Sequence, residues 1–209
     1  MADKAQVEFY NAIYKARPGK WADIDRDYTA FKTINSVMDE PGRMLDIGCG
    51  NGHTLAFFKS QWPGTQYTGV DISDVALDLA RKRIPEAEFY EGIPLGRLWD
   101  IIVLMGVAEH FPLFVEELRY IGTCLVQSGY LYLEAPNCLA YSNDQEEGFR
   151  QTHKGSGQKE WHWKRATWEQ ALDEAGFEIV RRSIGPFAAW EFIWILRRSD
   201  WWKPIYTGV

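Results

Sequence analysis

The stretch MLDIGCGNG, from Met44 to Gly52, constrains the fold more than any other part of the chain. A short apolar run passes Asp46 and then reaches glycines in alternate positions, beginning with Gly48 and Gly50. The segment that follows, HTLAFFKSQW, spaces its apolar residues as one face of a helix. The glycines therefore lie at a strand-to-helix junction, where they can adopt backbone angles closed to other residues beside the unpaired N–H groups of a helix start. This pattern predicts a binding turn for a ligand of nucleotide size.

The spacing of the glycines narrows the class of ligand. Turns that cradle the pyrophosphate of a dinucleotide follow GxGxxG, whereas this turn reads GxGxG after Asp46. A second strand-like run, QYTGVD, ends in Asp71, where a carboxylate meets a ribose hydroxyl in such folds. Two acidic strand ends around a glycine turn indicate a ribose-bearing ligand, and the register counts against a dinucleotide oxidoreductase.

Three motifs in order, LDIGCGNG, GVDIS and WDIIVLMGVAEHF, resemble class I S-adenosylmethionine-dependent methyltransferases of the small-molecule type. The resemblance covers roughly residues 40 to 185. It implies an α/β fold with a doubly wound, seven-stranded, mostly parallel sheet whose last strand is antiparallel, with helices on both faces and an N-terminal helical extension. The alternation of strand and helix patterns after the glycine turn favours the same parallel architecture.

The resemblance also implies S-adenosylmethionine as the cofactor and a set of residues that bind it. These residues are Asp46, Gly48, Cys49, Gly50, Gly52, Asp71, Ile72, Glu91, Gly92, Ile93, Met105 and Gly106. Family members often carry an acidic residue directly after the glycine of the third strand, where it contacts the adenine amino group. Here Ile93 follows Gly92, so this contact is missing or comes from the backbone or from Glu91.

The chain is expected to form a single domain, because 209 residues with 46% apolar composition suffice for one sizeable core. We divide it into an N-terminal helical cap (1–40), a cofactor-binding core (41–136), a lid or substrate loop (137–164), a C-terminal helix and hairpin (165–199) and a tail (200–209). Residues 137–164 are polar and without period, and a loop of that length is usually functional or mobile.

The predicted catalytic residues are His110 and Glu109, which follow the fourth strand at the mouth of the expected cleft. A histidine ordinarily titrates near neutral pH, so His110 is suited to act as a general base. A purely structural hydrogen bond is the alternative, because this Glu–His pair recurs across the resemblance irrespective of acceptor. Glu109 could orient His110 or point into solvent.

Acceptor contacts are expected from the N-terminal helices, which close over the cofactor in the proteins that this chain resembles, and from the long loop. The candidates are Tyr10, Tyr14, Trp21, Tyr28, Asn137, Tyr141, His153 and His162. Ordinary aromatic packing is the alternative for the tyrosines and Trp21, and a surface role is the alternative for the two histidines. The ten tryptophans, clustered in the second half, either pack the core or form an aromatic wall for an acceptor.

Composition excludes several other classes of function. The net charge of −6 argues against a nucleic-acid surface, which needs Lys and Arg. Cys49, Cys124 and Cys138 form no CxxC pair, so neither a disulfide framework nor a metal site is indicated. No apolar run is long enough to span a membrane, so a cytoplasmic protein is expected. The sequence leaves open whether the protein forms a homodimer.

The sequence thus predicts methyl transfer to a small-molecule acceptor, on oxygen first and on nitrogen next. Nucleic-acid or protein methylation is an alternative, although the fourth strand ends in MGVAEHF and not in the Asp/Asn-Pro-Pro-aromatic turn used for exocyclic base amines. A non-catalytic binding or regulatory protein with a methyltransferase fold is the other alternative.

Overall fold

The middle of the sheet is built from strands whose residues are apolar on both faces. The structure, a computed structural model, describes residues 4–137, 147–151, 159–184 and 191–200. Residues 101–104, IIVL, are all fully buried, as expected for a parallel strand covered by helices on both sides. This run forms most of the strand that precedes the predicted catalytic residues, His110 and Glu109.

The described ranges contain six helices and nine strands. The helices are α1 (Lys4–Ala16), α2 (Ile24–Asn35), α3 (His53–Gln61), α4 (Asp74–Arg83), α5 (Phe114–Thr123) and α6 (Arg165–Glu174). The strands are β1 (Arg43–Ile47), β2 (Gln66–Val70), β3 (Glu88–Tyr90), β4 (Trp99–Met105), β5 (Leu125–Pro136), β6 (Gly148–Gln151), β7 (Lys159–His162), β8 (Phe177–Ile184) and β9 (Glu191–Arg198). A short 3-10 turn, Ala108–His110, follows β4.

Seven strands form one sheet in the order β3-β2-β1-β4-β5-β9-β8. The strands β1 to β5 pair in parallel, whereas β9 runs antiparallel to β5 and to β8. The predicted doubly wound sheet with its last strand antiparallel is therefore confirmed. The order reverses between β1 and β4, and in such sheets a ligand crevice opens at the carboxyl ends of the strands at this point.

Alternate residues of the strands face two apolar layers. Ile102 and Leu104 pack in one cluster with Phe114 of α5 and Trp168 of α6. On the other face, Ile101 and Val103 pack with residues of α2, α3 and α4, namely Ile34, Leu55, Phe58 and Leu77. Trp168 and Trp194 are 0% and 1% exposed, so these two tryptophans pack the core and do not form a wall for an acceptor. Two filled layers fix the sheet edge on which the functional residues lie.

The two N-terminal helices are joined to the sheet by buried polar contacts. Asp27 of α2 accepts a hydrogen bond from the Thr54 hydroxyl at 2.8 Å, and its other oxygen lies 2.6 Å from Nδ1 of His53. Asn11 of α1 accepts a hydrogen bond from the Ser73 hydroxyl at 2.6 Å. Both contacts reach the first turn, or the cap, of a helix that follows a parallel strand. They hold α1 and α2 over the edge that carries the glycine turn.

Part of the segment predicted to be an irregular loop, residues 137–164, is regular. The strands β6 and β7 form an antiparallel ribbon in which Phe149 pairs with Trp161. The Trp161 ring stacks on Trp163 with centroids 4.5 Å apart, and its Nε1 donates to the Phe111 carbonyl at 2.7 Å. The loop prediction is wrong for these strands because four-residue strands show too little alternation, while packing on the aromatic layer stabilises them. The tail beyond Asp200 lies outside the described residues.

Candidate active site

One cleft of about 860 Å³ opens at the carboxyl ends of the parallel strands. It runs from the glycine turn after β1, past the ends of β2, β3 and β4, to β5, β9 and the ribbon. The cap closes one side through Tyr10 and Tyr14 of α1 and Arg26 of α2. Its volume falls within the range of ligand pockets, which are usually about 300–1,000 Å³.

The glycine turn forms one wall of this cleft. Gly48 and Gly50 have φ angles of 76° and 52°, in the left-handed region that glycine adopts without strain. A Cβ at Gly48 would overlap Val107, and one at Gly50 would overlap the Tyr14 hydroxyl. The N–H groups of Gly48 and Cys49 donate to the carbonyl of the last residue of β2 at 2.8 and 3.0 Å. The turn is thus fixed against β2, with its backbone exposed to the cleft.

Asp71 and Asp46 present carboxylates at this end of the cleft. Asp71 accepts hydrogen bonds from the N–H of Gly50 at 2.8 Å and of Ser73 at 2.9 Å, which orients the side chain beside the turn. Asp46 is 3% exposed and lines the cleft, and burial raises its pKa well above the usual range. The first amides of the turn donate to β2 and to Asp71, and not to Asp46. We therefore expect the Asp46 carboxylate to accept a hydrogen bond from a ligand.

The remaining predicted cofactor residues converge on the same cleft, with one exception. Its lining includes Cys49, Ile72, Glu91, Gly92, Ile93, Met105 and Gly106. Glu91 is exposed beside Gly92 and lines the cleft. Its carboxylate is therefore the candidate for the adenine contact that Ile93 cannot make. The exception is Gly52, which does not line the cleft. It faces α4 instead, because a Cβ at this position would lie 3.0 Å from Cβ of Ala80. Its role is the close approach of α3 and α4.

His110 and Glu109 lie in the 3-10 turn and both face the cleft. The Nε2 atom of His110 is 3.4 Å from the Tyr10 hydroxyl and 3.9 Å from Oε1 of Glu160 on the ribbon. Glu109 is 7% exposed, so the expectation that it could point into solvent is wrong. Burial raises the pKa of Glu109 to about 7. The turn buries Glu109 because it folds back under the cap against Arg26.

A second group of charged residues, which the sequence did not single out, lies where β5 and β9 border the cleft. Arg26 of α2 donates from Nε to Oε1 of Glu134 at 2.5 Å, and the Tyr132 hydroxyl donates to Oε2 of Glu134 at 3.2 Å. Glu134 is 1% exposed near the end of β5. Glu191, at the start of β9, lines the same end, and burial raises its pKa to about 7. A glutamate in the apolar run YLYLEAP was the available signal for this site.

Of the other predicted acceptor residues, only some reach the cleft. Tyr10, Tyr14 and Trp21 line it, and the Trp21 ring lies 5.9 Å and 5.5 Å from the rings of Tyr10 and Tyr14. Tyr28 does not: it is 52% exposed, because α2 turns its neighbour Asp27 inward and Tyr28 outward. Asn137 and His162 are described but do not line the cleft, whereas Tyr141 and His153 lie outside the described residues.

Comparison with known proteins identifies the family. A family model described as a methyltransferase domain matches residues 21–182, which is most of the chain. The chain belongs to this methyltransferase-domain family. The predicted membership of the class I S-adenosylmethionine-dependent methyltransferases is thereby confirmed, together with the cofactor that defines them.

Eight curated relatives of this methyltransferase share one name, trans-aconitate 2-methyltransferase. A trans-aconitate 2-methyltransferase from Rhodopseudomonas palustris (strain BisA53) is 30% identical over 108 residues, 49% of this chain and 41% of that protein. This methyltransferase therefore spans less than half the length of that curated relative in the match.

Solved structures share the fold at low sequence identity. The 1,6-didemethyltoxoflavin-N1-methyltransferase of Burkholderia thailandensis, solved with 1,6-didemethyltoxoflavin and S-adenosylhomocysteine, has a TM-score of 0.75 at 19% identity, covering 94% of this chain and 88% of that one. An O-methyltransferase of a Brevibacillus brevis trans-AT PKS multienzyme has a TM-score of 0.67 at 13% identity, covering 95% and 80%. One fold therefore carries both nitrogen and oxygen methylation, so the fold alone assigns no acceptor.

None of the helices in the described ranges is long and apolar enough to cross a membrane.

Proposed function

We propose that this methyltransferase transfers the methyl group of S-adenosylmethionine to an oxygen or nitrogen atom of a small acceptor molecule. The observation that carries the proposal is the continuity of one cleft, which joins the glycine turn and Asp71 to His110 and the charged group beyond β4. Donor and acceptor must meet in line at about 3 Å for such a displacement. A single cleft with chemically different ends supports that arrangement.

The residues at the glycine end fit a sulfonium nucleoside. Asp71 is placed to accept hydrogen bonds from ribose hydroxyls, and Asp46 to accept them from the donor's ammonium group. Lys20 is a cation on the cleft wall that suits its carboxylate. The donor supplies a methyl group that is already activated by the positive charge on sulfur. The protein therefore contributes mainly positioning and, where the acceptor requires it, removal of a proton.

At the other end, His110 is proposed as the general base. Its Nε2 atom faces the cleft beside Tyr10 and Glu160, within reach of an acceptor placed between the cap and the ribbon. The cap residues Tyr10 and Trp21 and the ribbon residue Phe149 would cover that acceptor. A nucleic-acid substrate is disfavoured by the net charge of −6 and by the four glutamates at this end.

Calorimetric titration with S-adenosylhomocysteine tests the donor half of the proposal. We expect binding by the wild-type protein and a loss of about 1.5–3 kcal/mol in Asp71→Ala, the usual contribution of a hydrogen bond to a charged group. Asp71→Asn serves as the matched control, because it keeps the size of the side chain and one acceptor oxygen. An absence of binding by the wild type would refute the proposed function at its first step.

A further inference from the structure

The acceptor end of the cleft is acidic. Four carboxylates line it from four different elements: Glu109 of the 3-10 turn, Glu134 of β5, Glu160 of β7 and Glu191 of β9. The cation among them is Arg26, and its Nε is bonded to Glu134 at 2.5 Å. One guanidinium beside four carboxylates leaves an excess of negative charge when these groups are ionised.

Two of these side chains, Glu109 and Glu191, each carry one buried oxygen that no donor from the described residues contacts. Within the described part of the chain, Oε2 of Glu109 and Oε2 of Glu191 have no hydrogen-bond partner. A buried polar atom left without a partner destabilises the protein, and more so when it is charged. Burial outweighs the attraction of Arg26 and raises the pKa of both side chains to about 7. For Glu191, the neighbouring Glu134 carboxylate adds to this shift. Each of these two oxygens is therefore open to a donor from a ligand.

We infer that the acceptor of the proposed methyl transfer is an amine, bound as its ammonium cation between Glu109 and Glu191 and methylated on that nitrogen. An ammonium group supplies both N–H donors and the missing positive charge. A carboxylate acceptor, such as the aconitate in the relatives' name, would instead place like charges together. Like charges repel more strongly where burial lowers the local dielectric, so this cleft disfavours such an acceptor.

The methyl transfer requires the free amine, and the same residues provide for this. The ammonium first passes one proton to Glu109 or to His110, which leaves a lone pair on nitrogen. That lone pair forms the new C–N bond, while the electron pair of the broken C–S bond returns to sulfur. The product is a methylated ammonium, which again carries a positive charge opposite Glu191 and Glu134. No other reactant is needed.

The test is a methyl-transfer assay with the full chain and matched pairs of small molecules, read by mass spectrometry of the products. The pairs are benzylamine against benzoate, phenethylamine against phenylacetate, and histamine against imidazole acetate, with trans-aconitate as a further anion. We expect N-methylated products from the amines and none from the carboxylates. Methylation of the carboxylates, or of no amine by a protein that binds S-adenosylhomocysteine, would overturn the inference.

Variants separate this inference from the proposed function on which it rests. Glu191→Gln and Glu109→Gln should each raise the KM for the amine at least tenfold while changing the Kd for S-adenosylhomocysteine less than twofold. Glu178→Gln, an exposed change on β8 next to Arg197, is the matched control and should alter neither value. If either cleft variant weakened S-adenosylhomocysteine binding instead, the carboxylate would belong to the donor site and the inference would fail.

Discussion

His110 lies where the cap, the 3-10 turn and the ribbon meet. Its Nε2 atom has two neighbours from distant parts of the chain, the Tyr10 hydroxyl at 3.4 Å and Glu160 at 3.9 Å. This arrangement supports the role of a base, while the Tyr10 contact also fits the structural alternative.

Replacement of His110 by alanine distinguishes these two roles. We expect His110→Ala to keep the Kd for S-adenosylhomocysteine and to lower kcat by about 10²–10⁴-fold, the usual contribution of general acid–base catalysis. His110→Gln, which can still bond Tyr10 but cannot accept a proton at neutral pH, should be equally impaired. Turnover close to wild type in the glutamine variant would assign His110 a structural role. Single-turnover rates measured with saturating donor provide the comparison.

At the scale of elements, the ribbon of β6 and β7 is held to the sheet by aromatic packing. Trp161 bonds to the Phe111 carbonyl and packs between Phe149 and Trp163, with ring centroids 4.8 and 4.5 Å away. The Trp163 ring in turn packs against the rings of Phe114 and Trp168, which belong to the core. The same ribbon carries Glu160 and Phe149 into the cleft. The shape of the acceptor end of the cleft therefore depends on the position of the ribbon.

Truncation of Trp161 should therefore damage acceptor use and spare the donor site. We expect Trp161→Ala to raise the KM for the acceptor at least tenfold, about 1.4 kcal/mol, with an unchanged Kd for S-adenosylhomocysteine. Trp161→Phe keeps a stacked ring and loses only the indole N–H, so its effect should be smaller. A loss of donor binding in the alanine variant would show that the ribbon supports the cofactor and contradict this division of the cleft.

For the whole molecule, buried carboxylates make stability depend on pH in an unusual direction. Burial raises the pKa of Glu109 and Glu191 to about 7, from an ordinary value of 4.5. Between these values the folded protein holds more protons than the unfolded chain, so the free energy of unfolding falls as the pH rises through this window. Asp46 is shifted in the same direction by burial. Ionisation of these buried carboxylates therefore lowers the free energy of unfolding of the ligand-free protein at neutral and higher pH.

Urea unfolding followed by tryptophan fluorescence measures this effect. We expect the ligand-free protein to be more stable at about pH 5.5 than at about pH 8, by on the order of 1–3 kcal/mol. Combining Glu109→Gln with Glu191→Gln should flatten the pH dependence and stabilise the protein at the higher pH, because glutamine carries no charge to bury. Stability that rises with pH over this window in the wild type would contradict the assignment.

The donor end of the cleft could be predicted because its determinants are local. A strand, a carboxylate and alternating glycines within nine residues dictate the turn, and Asp71 ends the next parallel strand. Positive φ at Gly48 and Gly50 is a property of the residue type and its immediate neighbours. The alternation of apolar strands and amphipathic helices, which is also a short-range pattern, favoured a parallel sheet. Its seven strands, with the last one antiparallel, were implied by the family resemblance. These features did not need the rest of the chain.

The acceptor end was decided only by tertiary structure. Arg26, Glu109, Glu134 and Glu191 are spread over 165 positions of sequence, and no spacing between them carries a signal. They meet because β9 inserts between β5 and β8 and because α2 folds over the sheet edge. Burial then turns ordinary surface residue types into an acidic site with unpaired oxygens. The sequence by itself determined the glycine turn and the carboxylates beside it, and long-range packing determined the charge at the proposed acceptor end.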